Sequence, residues 1–127
     1  MGDGRRSSAM IGVMILLCMS VTSYALRYKV GDSRGWSFNV SNWPYGKTFM
    51  AGDVLEFNYM FGMHNVMEVD KSFFELCIPI PKIGSEFGDT VHWSGNDQIQ
   101  LRSGQSYFIC SFLGHCQRGM KIAVNAV

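Results

Sequence analysis

From about residue 26 onward, apolar and polar positions alternate in short runs, and they do not recur every three or four residues as a helix would require. Leu55, Phe57 and Tyr59 alternate with Glu56 and Asn58, and Met67 and Val69 with Glu68 and Asp70. Ile99 and Leu101 alternate with Gln98, Gln100 and Arg102; Met120, Ile122 and Val124 share one face while Lys121 and Asn125 take the other. This period of two is that of half-buried strands. Residues 28–30 and 106–110 read as two further strands. Turn-forming clusters lie at 31–33, 51–53, 94–97 and 103–105. Residues 71–76 can form a short helical turn, and residues 77–93, with Pro79, Pro81, Gly84 and Gly88, read as irregular. Several short strands at close spacing predict an all-β domain, a small antiparallel sandwich or barrel with short helical segments. The pattern does not choose a strand order. With no repeat and no linker, a chain of 127 residues is one domain.

The first 25 residues follow a different rule. Arg5 and Arg6 precede an apolar run of 13 residues from 9 to 21, and Ser23 and Ala25 supply small side chains where a signal peptidase reads. A span of that length is well short of the roughly 20 residues that cross a bilayer. Residues 1–25 are therefore expected to be a secretory signal peptide, with the folded domain at 26–127. Arg5, Arg6 and Asp3 leave with the leader, so the 11 basic and 10 acidic residues become balanced in the remainder. A balanced chain offers no field for nucleic acid or anionic lipid.

Of the 4 cysteines, Cys18 lies in the leader. The domain keeps Cys77, Cys110 and Cys116, an odd number in a disulfide-permissive compartment. One thiol is left to be free, paired between molecules or bound to metal.

The stretch CSFLGHCQRGM over residues 110–120 carries the chemistry. Cys110 ends one predicted strand, Met120 begins the next, and His115 lies midway in the connection. Gly114 and Gly119 let the backbone turn on either side. Such a loop can bring a thiolate, an imidazole and a thioether to one point, and His64, between two predicted strands, can add a second imidazole. Two His, one Cys and a distant Met are the ligands of a blue-copper centre: soft sulfur favours Cu(I), imidazole suits both states, and a weak axial thioether resists the tetragonal geometry of Cu(II). Taken singly, each residue has an ordinary reading. His64 can be a surface residue, Met120 core, and either Cys110 or Cys116 a disulfide partner for Cys77. Spacing alone does not settle which cysteine binds metal. Cys116 adjoins His115, and neighbouring side chains tend to point apart, so we assign the bridge to Cys77 and Cys116 and the ligand to Cys110. His92 is read as a loop residue without a role, and Trp36, Phe38, Trp43 and Tyr45 as an aromatic cluster packing the core or one end of the sandwich.

The chain resembles the plant phytocyanins, and among them the plantacyanin or basic blue subgroup. The stretches that carry the resemblance are VGDSRGW at 30–36, KTFMAGDVLEFNY at 47–59, HNV at 64–66, GNDQI at 95–99, and GQSYFIC at 104–110 onward to 127. The resemblance implies a cupredoxin fold, a Greek-key β-sandwich with copper near one end. It further implies one type 1 copper held by His64, Cys110, His115 and Met120, and a disulfide between Cys77 and Cys116. Met at 120 points away from stellacyanins, which use Gln there. The sequence ends at Val127 without the hydrophobic tail of a lipid-anchor signal, so no membrane anchor is expected. Two features depart from the subgroup: the charge is balanced where the name implies basic, and residues 78–91 form a longer, more apolar loop. His115, with Phe112 and Leu113, resembles the family's electron port.

The expected function is therefore that of a secreted, monomeric one-electron carrier of the extracellular space, apoplast or cell wall matrix. A redox partner protein or small-molecule reductant would dock near His115. The competing function is an extracellular matrix or signalling protein whose copper is secondary. Structural zinc fits less well because zinc sites seldom use Met, and no nucleophile–base pair suggests an enzyme. Asn39, in the triplet Asn39, Val40 and Ser41, matches an N-glycosylation acceptor.

Overall fold

The segment VLEFN shows why the chain folds as it does: its apolar side chains Leu55 and Phe57 are fully buried while Val54, Glu56 and Asn58 are half-exposed, so the alternation puts one face against a core. The computed structural model describes residues 24–83 and 89–127. All but the last two residues of the expected leader lie outside that range, as do Cys18 and the expected signal peptide's apolar run.

Among the described residues, seven strands form two sheets. They are β1 (Arg27–Lys29), β2 (Val54–Asn58), β3 (Val66–Val69), β4 (Val91–His92), β5 (Asn96–Gln100), β6 (Gly104–Ile109) and β7 (Lys121–Ala126), with one short helix α1 (Lys71–Leu76) after β3 and a 3₁₀ turn at Asp32–Arg34. The first sheet has the order β1-β2-β5 and the second β4-β3-β6-β7. Between them lies the main core, with Trp36, Leu55, Phe57, Val66, Phe108, Cys110, Met120 and Ile122 among its buried members. Phe57 packs edge-on against Trp36 at 5.0 Å and against Phe108 of the opposite sheet at 5.4 Å.

Several sequence expectations are corrected here. The sandwich is not wholly antiparallel: β1 runs parallel to β2, with Arg27 opposite Val54. The segment at 66–69 is not half-buried, because β3 is covered on both faces. Val66 faces the main core, while Met67 and Val69 face a second core with Ile109 and Cys116, under Phe73 and Phe74 of α1. Glu68 is therefore buried, and its carboxylate accepts a hydrogen bond from Arg102 at 2.8 Å. The turns expected at 94–97 and 103–105 are shorter, since Asn96 and Asp97 open β5 and Gly104 and Gln105 open β6. The segment at 77–93 is not wholly irregular, and His92 is not a loop residue: it lies in β4, paired with Val66. Of the four aromatics, Trp36 lies in the main core and Phe38 and Trp43 pack against it, as expected, but Tyr45 is exposed.

Among the described residues no helix is long and apolar enough to cross a membrane, and no buried side-chain nitrogen or oxygen lacks a hydrogen-bond partner.

Because Phe57 bridges the sheets, Phe57→Ala is expected to cost about 3–5 kcal/mol. In urea denaturation this would read as a lower midpoint with an unchanged slope.

Candidate metal centre

The connection between β6 and β7 shapes itself through its own backbone. His115 N–H bonds to Phe112 C=O at 3.0 Å, Gly119 N–H to Cys116 C=O at 3.0 Å, and Met120 N–H to His115 C=O at 3.1 Å. Cys110 N–H in turn reaches Met120 C=O at 3.0 Å, so the two ends of the loop are paired. Gly114 and Gly119 adopt φ of 80° and 83°, and a Cβ on Gly119 would stand 3.0 Å from the Asn39 backbone. That close approach carries two further bonds, from Asn39 N–H to Arg118 C=O and from Val40 N–H to Gly119 C=O. The disulfide joins Cys116 of this loop to Cys77 at the end of α1, 39 residues away in sequence. Closing a loop of that size removes about 4 kcal/mol of unfolded-state entropy.

His64 comes from the other side, just before β3. Its neighbour Asn65 is fully buried; its side chain accepts from Ser111 N–H at 2.8 Å and donates to Ser111 Oγ at 2.7 Å. The backbone carbonyl of Asn65 accepts from the Trp36 indole at 2.9 Å. These bonds bring His64 to the cysteine loop. The Nδ1 atoms of His64 and His115 stand 3.0 Å apart, and Cys110 Sγ lies 3.5 Å from His115 Nδ1. The three donor atoms all fall within 4.8 Å of one another. Two donors each about 2.0–2.3 Å from one ion must lie within about 4 Å of each other, and both direct separations meet that limit.

The fourth expected ligand, Met120, is fully buried in the same core as Cys110 and backbone-paired to it. Among the described residues Cys110 is the one free thiol and is fully buried, whereas both imidazoles are half-exposed. The cluster thus has a dry sulfur side and a wetter nitrogen side.

Burial shifts the ionisations accordingly. The Cys110 thiol is pushed up by desolvation, partly offset by hydrogen bonds from the Asn65 and Phe112 backbones. His64 is held below its ordinary value of 6.5 by desolvation and then by His115. His115 is lowered by desolvation and then by the Arg118 charge. Neutral imidazoles at neutral pH are what a metal ion requires. The donor set of two nitrogens and one thiol, with a buried thioether beside the thiol in the core, fits copper: thiol sulfur suits Cu(I) and imidazole both oxidation states.

Sequence reasoning missed several residues around the cluster. Phe38 presents its ring to both histidines, 4.9 Å from His115 and 5.6 Å from His64, and carries the Arg118 guanidinium 3.9 Å above it. Tyr59 lies 6.2 Å from the His64 ring, bonded to Asp97 and to the His92 carbonyl. Asn65 and Ser111 are the bridge described above. The HNV stretch shows that an Asn follows the histidine, but nothing in the local pattern reveals its partner 46 residues away. The His92 side chain takes no part in the cluster; it lines a polar cleft with Glu68 and Arg102.

A two-sheet sandwich with a His-Cys-His cluster at the junction of its strand ends defines a cupredoxin. A family model described as a plastocyanin-like domain matches residues 27–120. The basic blue protein of Cucumis sativus is 55% identical over 100 residues, covering 79% of this chain and 98% of that one. The solved structure of the cucumber basic protein, a blue copper protein, superposes with a TM-score of 0.71 at 54% identity, over 80% of this chain and 99% of that chain. Spinach plantacyanin superposes with a TM-score of 0.60 at 47% identity, over 73% and 94%. The chain belongs to the plastocyanin-like domain family, in its phytocyanin branch and basic blue subgroup. Its cofactor is a single type 1 copper.

Two outcomes are expected of this arrangement. Asn65→Ala removes both bonds to Ser111 and leaves the part-buried Ser111 N–H without its acceptor, which costs about 1–3 kcal/mol; thermal denaturation of the copper-free protein would show it. The histidine shifts set the second. Between the ordinary 6.5 and the lower folded values, the unfolded chain binds protons that the fold does not, so stability falls as pH falls. Copper-free protein should lose stability progressively below about pH 6.5, and a His64→Gln, His115→Gln double variant should lose less.

Proposed function

We propose that the protein is a secreted one-electron carrier whose copper is held by His64, Cys110, His115 and Met120. The observation that carries this reading is the convergence of His64, Cys110 and His115, two from one loop and one from 46 residues earlier than Cys110, with their donor atoms within 4.8 Å. Bound copper supplies the chemistry, a couple between two oxidation states that takes up and releases one electron.

The side chains do the rest. Cys110 and Met120, both buried, keep water from the sulfur side. Met120 would supply the weak axial donor. The loop bonds and the Asn65 bridge restrain the donors through the polypeptide, so little nuclear rearrangement would accompany a change of charge. His115 is half-exposed, with the Phe112 ring 5.5 Å away and fully exposed Leu113 two residues before it. It therefore offers the short path to solvent, and a partner protein or small-molecule reductant would exchange electrons there with the monomeric carrier. Secretion is supported by the leader pattern at 1–25 and by the Cys77–Cys116 bond. Exposed Asn39 is positioned to carry a glycan beside the ligand loop.

A second reading, extracellular recognition with copper secondary, draws on the exposed side chains Phe61, Trp93 and Leu113 on the loops near the histidines. Biological activity that persists in a copper-free His115→Ala variant would favour it.

The test of the carrier reading is the visible spectrum of the protein after adding Cu(II). An intense blue band is expected, absent in Cys110→Ser, together with a reversible one-electron wave in voltammetry. A colourless wild-type protein would sink the ligand assignment.

A further inference from the structure

Two methionines stand at the rim of the centre without a packing role. Met60 is 75% exposed and Met63 is 53% exposed, although burying such a side chain ordinarily stabilises a fold. They occupy the first and last positions of one tight turn, closed by Met63 N–H to Met60 C=O at 3.1 Å, with Gly62 at φ 86°. The ends of such a turn lie within about 7 Å at Cα, so two flexible thioethers can reach one ion. The turn, MFGM, carries no charged side chain. Neutral soft sulfur discriminates against hard cations and favours Cu(I).

The position matters as much as the chemistry. Met63 immediately precedes His64, and His64 and His115 are the half-exposed members of a cluster whose thiol is fully buried. An ion arriving from solvent therefore meets the nitrogen side first, and the thioethers stand at that side.

We propose that Met60 and Met63 form a Cu(I) entry site that captures the ion and passes it through His64 into the centre. The transfer is a ligand exchange. Copper–thioether bonds break as bonds to His64, His115 and Cys110 form, the metal stays Cu(I), and the thiol proton leaves to solvent. Low affinity at the turn is part of the device, since a neutral two-sulfur site releases its ion to a thiolate. The inference rests on copper at the His64, Cys110 and His115 cluster, but not on the electron-carrier role.

The experiment mixes copper-free protein anaerobically with the coloured Cu(I)–bicinchoninate complex and follows loss of colour, comparing wild type with a Met60→Leu, Met63→Leu double variant. Leucine keeps the apolar bulk and removes the sulfur. Cu(I) uptake by the variant is expected to be several-fold slower, with the same final stoichiometry, the same blue spectrum after oxidation and the same uptake rate for aqueous Cu(II). Equal Cu(I) rates would overturn the entry site. So would equal slowing of Cu(I) and Cu(II), which would assign the effect to the shape of the turn. Absence of a blue band in oxidised wild type would be a separate failure, that of the copper centre on which the entry site depends.

Discussion

Asn65 is fully buried, and its amide oxygen and nitrogen both bond to Ser111, the residue after the central cysteine. An amide taken out of water loses about 1–3 kcal/mol for each group left unpaired, so the start of β3 and the end of β6 are held in one relative position. The antiparallel pairing of β3 with β6 runs only from Met67 opposite Ile109 to Val69 opposite Tyr107. Beyond that ladder the two segments would separate, and the Asn65 bridge extends their connection by two positions, to Ser111 just past Cys110 and beside His64. The Trp36 indole, bonded to the Asn65 carbonyl, ties the same junction to the packing between the sheets. The metal centre thus depends on a polar contact inside an apolar region, where low dielectric makes it strong and its loss costly.

The division into dry sulfur and wetter nitrogen follows from this placement. Cys110 continues the inward face of β6 after Phe108, and Met120 precedes the inward-facing Ile122 of β7. Both sulfurs are therefore core residues by strand geometry. The histidines lie in turns beyond the strand ends, where no sheet covers them. Desolvation raises the thiol and lowers both imidazoles, so the copper-free centre is neutral. Binding a metal ion replaces the thiol proton, and the charge introduced is met by donors already in place.

Much of this was legible in the sequence, for identifiable reasons. The period-two segments at 55–59 and 120–124 marked β2 and β7 because each has one buried face. The contiguous stretch at 110–120 exposed Cys110 and His115 together because one hairpin connection contains both. What was hidden depends on contacts between distant segments. Glu68 read as the solvent side of a strand, but it shares the inward face of Val66 and pairs with Phe108, while Phe73 and Phe74 of α1 cover the Met67 and Val69 face. The parallel pairing of β1 with β2 leaves no trace in alternation, since the face pattern is the same for either direction. His92 looked like a loop residue because β4 is two residues long. Phe38 looked like one more core aromatic, and its contact with both imidazoles arises because the loop around Asn39 pairs with the ligand loop. Balanced charge was legible as well. It distinguishes this chain from what the subgroup's name implies.

Three restraints close the ligand loop. The hydrogen bond from Cys110 N–H to Met120 C=O seals its mouth, the covalent bond from Cys77 to Cys116 fixes its middle to α1, and the hydrogen bonds from Asn39 and Val40 N–H hold its far side. The first depends on strand pairing, the second acts mainly on the unfolded chain, and the third requires the bare Cα of Gly119. Because they act independently, relaxing one leaves the loop restrained by the other two. Together these restraints help to bring the donor atoms of His64, Cys110 and His115 within 4.8 Å of one another. A centre that is already assembled changes little when its ion gains or loses an electron. The stiffness therefore belongs to the polypeptide, in its strand pairing, its disulfide and the close approach at Gly119.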